Sequence, residues 1–538
     1  MPDPSFLSAT DVSKTYGDRV VLDGVDLLAQ RGQPLGLVGE NGVGKSTLLR
    51  IVVGLESADS GELVVPAELG FLMQEPEFAP GATVAEVLDD VLAPLHDAVR
   101  RLESLAGRLT GPESGEVAEE YATTLEWAQR HDAWDADRRT DVARARLGIG
   151  DVERDRPVAA MSGGQRTRLA LAALVVRQPD CIFLDEPTNH LDEQAIEFLE
   201  SFLASAPGIV VIASHDRVFL DRVCEVIVDL DASHFGVDGD GGNRFTGGFS
   251  DYLAHKRRAR QRWERAFLDQ REQLDDLRAA TRTTARQVAH NRAPRDNDKY
   301  IYHFKGSNVA ATVSRRVRNT EQRIAAIERE LIPKPPKPIS FSGALTGRQS
   351  QSGLAVFVRD LRVDGRLRLD RLDVVAGDHL LVTGANGSGK STLLAVLAGT
   401  LAPHAGQAVV TARRVGRLEQ DVVFPRPDRN PHQVYDDATG SPVPLGELGL
   451  LHPRDLARPV GQLSVGQQRR LALAILVAGR PDVLLLDEPT NHISLVLASE
   501  LEEALRRSPG TVIVASHDRW LRNRWEGHTL HLDPADLR

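Results

Sequence analysis

GENGVGKSTLLRIVVGL, residues 39–55, decides how this chain is read. Its first eight residues fit G-x-x-x-x-G-K-[ST], with the apolar run PLGLV before them and an apolar-periodic stretch after them. That is a strand–loop–helix order, the setting in which such a loop wraps phosphates. Gly39, Gly42 and Gly44 let backbone N–H groups close round the anion together with Asn41, and the helix N-terminus adds its dipole. Lys45 is placed to reach the outer phosphates and Ser46 to hold Mg²⁺, with Thr47 beside it. A second copy, GANGSGKST, occupies residues 384–392 and supplies Gly384, Asn386, Gly387, Gly389, Lys390, Ser391 and Thr392. One match could be chance; two in the right context are not.

The copies extend beyond the loops. MSGGQRTRLALAALVVRQPDCIFLDEPTNHLD (161–192) aligns with LSVGQQRRLALAILVAGRPDVLLLDEPTNHIS (463–494), and both halves then reach ASHDR. Ser162 to Asp185 and Ser464 to Asp487 are each 23 residues apart, and each aspartate precedes its histidine, His215 or His517, by 30. The chain therefore contains a duplicated α/β domain. CIFLDE and VLLLDE read as buried parallel strands that end in two carboxylates. Beside a phosphate loop, Asp185 and Asp487 are suited to hold Mg²⁺ through water, and Glu186 and Glu488 to polarise an attacking water. His215 and His517 also end apolar strands, and their repeated position points to a γ-phosphate contact.

What the halves do not share is equally informative. The phosphate loop lies 117 residues before the SGGQ serine in the first half but 74 before SVGQ in the second. The excess falls within about 85–150 and has helical periodicity on either side of TGPESG, which predicts an added helical hairpin. It serves either as an enlarged subdomain packing on its own half or as a partner-binding arm.

Between the halves, residues 251 to about 332 read as two long helices closed by PKPPKP. Residues 251–338 carry 21 Lys/Arg against 11 Asp/Glu, a net +10, so the rest of a chain of net charge −11 carries −21. The bend, NRAPRDNDKYIYHFKGSN (291–308), offers Arg292, Arg295, Lys299 and Lys305 with Tyr300, Tyr302, His303 and Phe304. Cations for phosphates and rings for bases together predict RNA contact.

Composition excludes several classes. Two cysteines, Cys181 and Cys224, cannot build a disulfide framework or a cysteine-rich zinc site. The N-terminus does not read as a signal peptide, and no apolar run reaches the ~18 residues of a membrane helix. The expected compartment is the cytoplasm.

MSGGQ and LSVGQ resemble the signature motif of ATP-binding cassette ATPases, and Gln74 and Gln420 resemble that family's Q-loop glutamine, a further Mg²⁺ contact. The resemblance implies two tandem P-loop cassettes, about 5–249 and 339–538, joined by an α-helical hairpin linker over 250–338. It implies ATP and Mg²⁺ as ligands and head-to-tail pairing of the cassettes within one monomer. One ATP would then lie between the first phosphate loop and Ser464, Gly466 and Gln467. The other would lie between the second loop and Ser162, Gly163, Gly164 and Gln165. Three departures predict unequal sites: Tyr16 resembles the adenine-stacking aromatic but has no counterpart, Val465 stands opposite Gly163, and Ser494 opposite Asp192.

Tandem cassettes, a basic linker and no membrane segment resemble the ABC-F proteins. That family implies binding at the ribosomal tRNA exit site, with the linker directed to P-site tRNA and the peptidyl-transferase centre. DNDK–FKG followed by RRVR resembles its antibiotic-resistance branch, which counters macrolides, lincosamides or streptogramins; a general translation factor is the alternative. An exporter's ATPase subunit leaves the basic linker unexplained, and a DNA-repair ATPase should carry zinc modules.

Overall fold

The computed structural model describes residues 6–533 apart from 18, 40–41, 110–113, 190, 231–243, 288–314, 316, 336–344, 348–352, 386, 420–421, 449, 452 and 491–494. The chain divides into two units: residues 1–231, 243–250 and 338–538 form one, and 232–242 with 251–337 form the other.

The first unit contains the duplication. In its first half a parallel sheet runs in the order Leu69–Leu72, Cys181–Asp185, Ile209–Ala213, Leu35–Val38 and Val226–Asp229, with Arg244–Thr246 antiparallel at the edge. The second half repeats the order with Val415–Leu418, Val483–Asp487, Thr511–Ala515, His379–Thr383 and His528–His531, all parallel. Both faces of these sheets are covered, which is why their central strands are apolar apart from their end residues. Leu484 and Leu486 point into one core cluster while Val483 and Leu485 point into another. A three-stranded antiparallel sheet accompanies each half: Arg19–Gln30, Phe6–Tyr16 and Ser60–Val64 in the first, Leu367–Val375, Leu354–Val363 and Ala405–Val410 in the second.

This strand order positions the site. The strand that ends before His215 lies between the phosphate-loop strand and the strand that ends in Asp185. Their carboxyl ends converge on one edge, where open parallel sheets bind ligands.

The first half's excess residues are helical: Val84–Arg108, Ser114–Arg130 and Ala136–Arg146. The second half has Pro431–Thr439 and short 3₁₀ turns there. Thr83 starts the first helix with a capping box closed by Glu86. The hairpin packs back on its own cassette. Trp127 Nε1 donates to Glu68 Oε1 at 2.9 Å, and buried His131 lies 2.9 Å from Glu68 Oε2 and stacks on the Trp127 ring at 4.2 Å. Glu68 immediately precedes the edge strand Leu69–Leu72, so the helices are tied to the sheet. Of the two roles expected for the insertion, packing is the one visible here.

In the second unit, the helix Phe249–Gln287 is 39 residues long, about 60 Å at ~1.5 Å per residue. A returning helix occupies 317–329. Trp263 Nε1 donates to Pro333 O at 2.9 Å, Gln270 bridges Glu330 O and Ile332 N, and Arg278 pairs with Glu328 at 2.8 Å. These contacts hold the two arms antiparallel. The bend residues expected to contact RNA, Arg292 to Lys305, lie outside the described residues.

Candidate active site

Each phosphate loop ends on a glycine in the left-handed backbone region, Gly44 at φ 111° and Gly389 at φ 95°. A Cβ on Gly44 would approach Leu22 to 2.6 Å, and one on Gly389 would approach Arg366 O to 2.5 Å, so both conformation and space demand glycine. Neither following helix, Lys45–Val52 or Lys390–Leu397, has a side-chain cap, which leaves its first N–H groups directed at the loop. Lys45 and Lys390 are buried, with ammonium groups 2.8 Å from Gly39 O and Gly384 O. Burial lowers the Lys390 pKa, while Glu488 and then Asp487 raise it. Asn41, Asn386 and Gln420 lie outside the described residues; Gln74 is exposed, two residues beyond the end of its strand.

The carboxylates meet the loops as their spacing requires. Asp185 lies beside Ser46, and Asp487 beside Ser391; burial raises both carboxyl pKa values, and the neighbouring serine hydroxyls lower them. Asp487 Oδ1 is buried without a hydrogen-bond partner. A hydroxyl beside an open carboxylate oxygen fits Mg²⁺, which keeps most of its shell for phosphate and water. Among the described residues no group of three or more His, Cys, Asp or Glu side chains could enclose a metal ion.

The next residue is unusual. Glu186 and Glu488 adopt φ of 50° and 46°, a region rare for non-glycine residues. Their N–H groups continue the sheet by donating to Ala213 O and Ala515 O at 2.8 Å, while the turn directs each carboxylate at its histidine. His215 Nε2 lies 3.2 Å from Glu186 Oε1, and His517 Nδ1 lies 2.8 Å from Glu488 Oε1. Burial pushes the Glu186 carboxyl up to about 8, with Lys45 opposing. The Glu488 contact raises the His517 pKa, against desolvation.

The signature serines are helix caps. Ser162 and Ser464 accept from Gln165 N and Gln467 N, and the two glutamine side chains accept from the serine N–H groups. Those amides therefore serve their own helices in this structure. Gly163 and Gly466 lie in the first turns of these helices, with Gly164 beside Gly163. A Cβ built on Gly163 meets nothing within 4 Å, which explains how Val465, 63% exposed, fills the matching position.

Tyr16 sits at a hairpin tip beside the first phosphate loop, its hydroxyl donating to Glu56 and Lys14 Nζ 5.6 Å from its ring centroid. The second half lacks the tip as well as the aromatic: pairing reaches Tyr16↔Arg19 in one hairpin but stops at Val363↔Leu367 in the other. Thr392 follows Ser391 in its helix, as Thr47 follows Ser46.

Sequence reasoning missed two features. Buried Arg469 donates to Asp487 O at 2.7 Å and also to Glu488 O, tying the second signature helix to the carboxylate turn; Thr167 takes that place in the first half. The DR that follows each histidine bridges the cassettes, and its identical recurrence in ASHDR was the available signal.

Comparison with known proteins agrees with this architecture. A family model described as ABC transporter matches residues 22–189 and 367–491. The tylosin resistance ATP-binding protein TlrC of Streptomyces fradiae is 38% identical over 98% of this chain and 97% of that protein. The energy-dependent translational throttle protein EttA of Mycobacterium tuberculosis is 32% identical, covering 96% of this chain and 90% of its own length. In fold, the chain is similar to an archaeal ribosome recycling factor, aABCE1, solved with stalk protein aP1: TM-score 0.54, 17% identity, 95% of this chain and 85% of that one. Among the described residues no helix is long and apolar enough to cross a membrane.

Proposed function

The chain belongs to the ABC-F group of the ATP-binding cassette family and is an ATPase, and from that premise we propose that it acts on the ribosome as an antibiotic-resistance factor. The observation that carries the reading is that likeness to the tylosin resistance protein runs through the linker as well as both cassettes. In this reading the cassettes 5–249 and 339–538 close on ATP, each nucleotide pressed between one phosphate loop and the opposite signature. Ser46 with Asp185, and Ser391 with Asp487, would hold Mg²⁺, and Gln74 and Gln420 would be further contacts to it. When bound, the ion neutralises phosphate charge. In their ionised forms Glu186 and Glu488 take the proton of the attacking water, and His215 and His517 orient the glutamates and the γ-phosphate.

The linker, 250–338, is the reader. Its basic arms neutralise ribosomal RNA phosphates, and the ring-bearing bend at 291–308 reaches toward P-site tRNA and the peptidyl-transferase centre, where a bound macrolide, lincosamide or streptogramin is displaced. ATP binding fixes the linker and hydrolysis releases the protein. The cytoplasm is its compartment.

The test is a susceptibility panel, with tylosin first, in a sensitive host. Wild type should raise the tolerated dose, and both a deletion of 291–308 and the Glu186→Gln/Glu488→Gln variant should not. The deletion variant should retain ATPase activity within about twofold and the double variant should co-sediment with ribosomes in ATP. The likeness to the translational throttle protein favours a second reading as a general translation factor. That reading is supported if ribosome binding persists but no drug in the panel is countered.

A further inference from the structure

The two cassettes meet through a buried set of ion pairs built from residues 302 positions apart. Arg217 of the first half is 1% exposed and pairs with Glu502 and, at 2.8 Å, with Asp518. Its counterpart Arg519 is 9% exposed, donates to Glu200 at 2.8 Å and lies 4.0 Å from Asp216. Asp216 and Asp518 follow the two histidines of the candidate site directly. Each caps the helix after it, accepting from Val218 N and Phe219 N or from Trp520 N and Leu521 N.

The connection runs further on one side than on the other. Arg217 holds Asp518, Asp518 N donates to Ser516 Oγ at 3.0 Å, and Ser516 Oγ donates to Glu488 Oε2 at 3.2 Å. Glu488 Oε1 then meets His517. A hydrogen-bonded path thus leads from an arginine of the first cassette to the reacting carboxylate of the second. On the other side Asp216 N reaches Ser214 Oγ at 3.1 Å, but among the described residues no bond continues from Ser214 to Glu186, and Arg519 spends its hydrogen bond on Glu200. The charges agree with this difference: Arg217 holds the Asp518 carboxyl below its ordinary range despite burial, whereas burial leaves Asp216 raised.

We propose that Arg217 is a positioning residue that couples the two ATP sites, holding the Glu488–His517 pair in register according to how the first cassette sits against the second. Arg217 and Ser516 are buried and Asp518 is mostly so, which lets an altered seam displace the far carboxylate with little absorbed by solvent. Such geometry is strict, since small misplacements of a reacting group slow chemistry steeply. The path is directional, from the first cassette into the second site. The inference rests on the assignment of Glu186 and Glu488 to water activation.

Single-turnover hydrolysis in the full chain tests it, with Glu186→Gln isolating the second site and Glu488→Gln isolating the first. Arg217→Gln should slow the Glu488 site by about tenfold and the Glu186 site by less than about twofold, with nucleotide affinity unchanged. Arg217→Lys keeps the charge but not the planar guanidinium whose Nη2 meets both carboxylates, so it should fall between wild type and Arg217→Gln. Glu502→Gln neutralises the more deeply buried partner of Arg217, which lies outside the path, and should lower thermal stability without a site-selective loss of rate. Equal slowing of both sites overturns the coupling, as does loss of stability alone or a Glu502→Gln variant with the selective loss. Turnover surviving in the Glu186→Gln/Glu488→Gln variant overturns the assignment of the glutamates and the coupling with it.

Discussion

A left-handed backbone at a residue with a side chain costs about 1 kcal/mol or more, yet both halves accept it at Glu186 and Glu488. The return is orientation: the N–H stays in the sheet while the carboxylate turns to its histidine. Burial then makes Glu186 reluctant to ionise, and stability should register this. With its folded value near 8 and an ordinary value of 4.5, Glu186 holds a proton in the folded chain that the unfolded chain has released. Its contribution therefore falls as pH rises from about 4.5 through 8 and is constant above. Glu186→Gln keeps the shape without the ionisation, so its melting temperature should match wild type near pH 4.5. It should rise above wild type toward pH 8.5, by about 2–4 °C for each kcal/mol gained in a cassette-sized domain. A gap that stays flat across that range would contradict the raised value. No residue type or spacing announces this conformation, because left-handed φ at glutamate has no compositional mark; the sequence identified the carboxylates but not how they are aimed.

At the scale of elements, legibility tracks burial and locality. CIFLD and VLLLD could be read as strands because a strand covered on both faces has no polar alternation to confuse it, and Ser46 and Lys45 follow from a contiguous loop. The insertion's helices were equally readable from their periodicity, but not what they touch: His131 and Glu68 are far apart in sequence and meet only through the fold. That contact is the hairpin's anchor. His131→Ala removes a buried ring stacked on Trp127 together with its bond to Glu68, and should destabilise the insertion by about 2–3 kcal/mol. Limited proteolysis should show it as faster cleavage within 84–130, with the ATPase rate much less affected. If cleavage there is unchanged, the anchor lies elsewhere. The hairpin tip at Tyr16 belongs to the same class: the missing aromatic was visible in LRVDGRLRLDRL, while the loss of the tip itself emerged only from strand register.

For the molecule as a whole, duplication made the architecture legible, since each motif vouched for its twin. Duplication also concealed the seam, because Arg217, Glu502, Arg519 and Glu200 looked like ordinary repeated charges until the fold brought the halves together. Paired cassettes with unequal surroundings make an asymmetric machine, and the shortened hairpin ending at Val363 and Leu367 gives an experimenter separate access to its two engines. In the proposed function Tyr16 and its tip border the adenine beside the first loop; beside the second loop the hairpin ends at Val363 and Leu367 and supplies no such wall. ATP carrying a bulky substituent on the adenine amino group should therefore compete poorly at the first site and well at the second. In the Glu186→Gln chain it should be hydrolysed at a rate close to that of ATP, and in the Glu488→Gln chain several-fold more slowly; equal rates would mean the tip does not border the base. Such an analogue would label one half of a tandem enzyme chemically, without altering a residue.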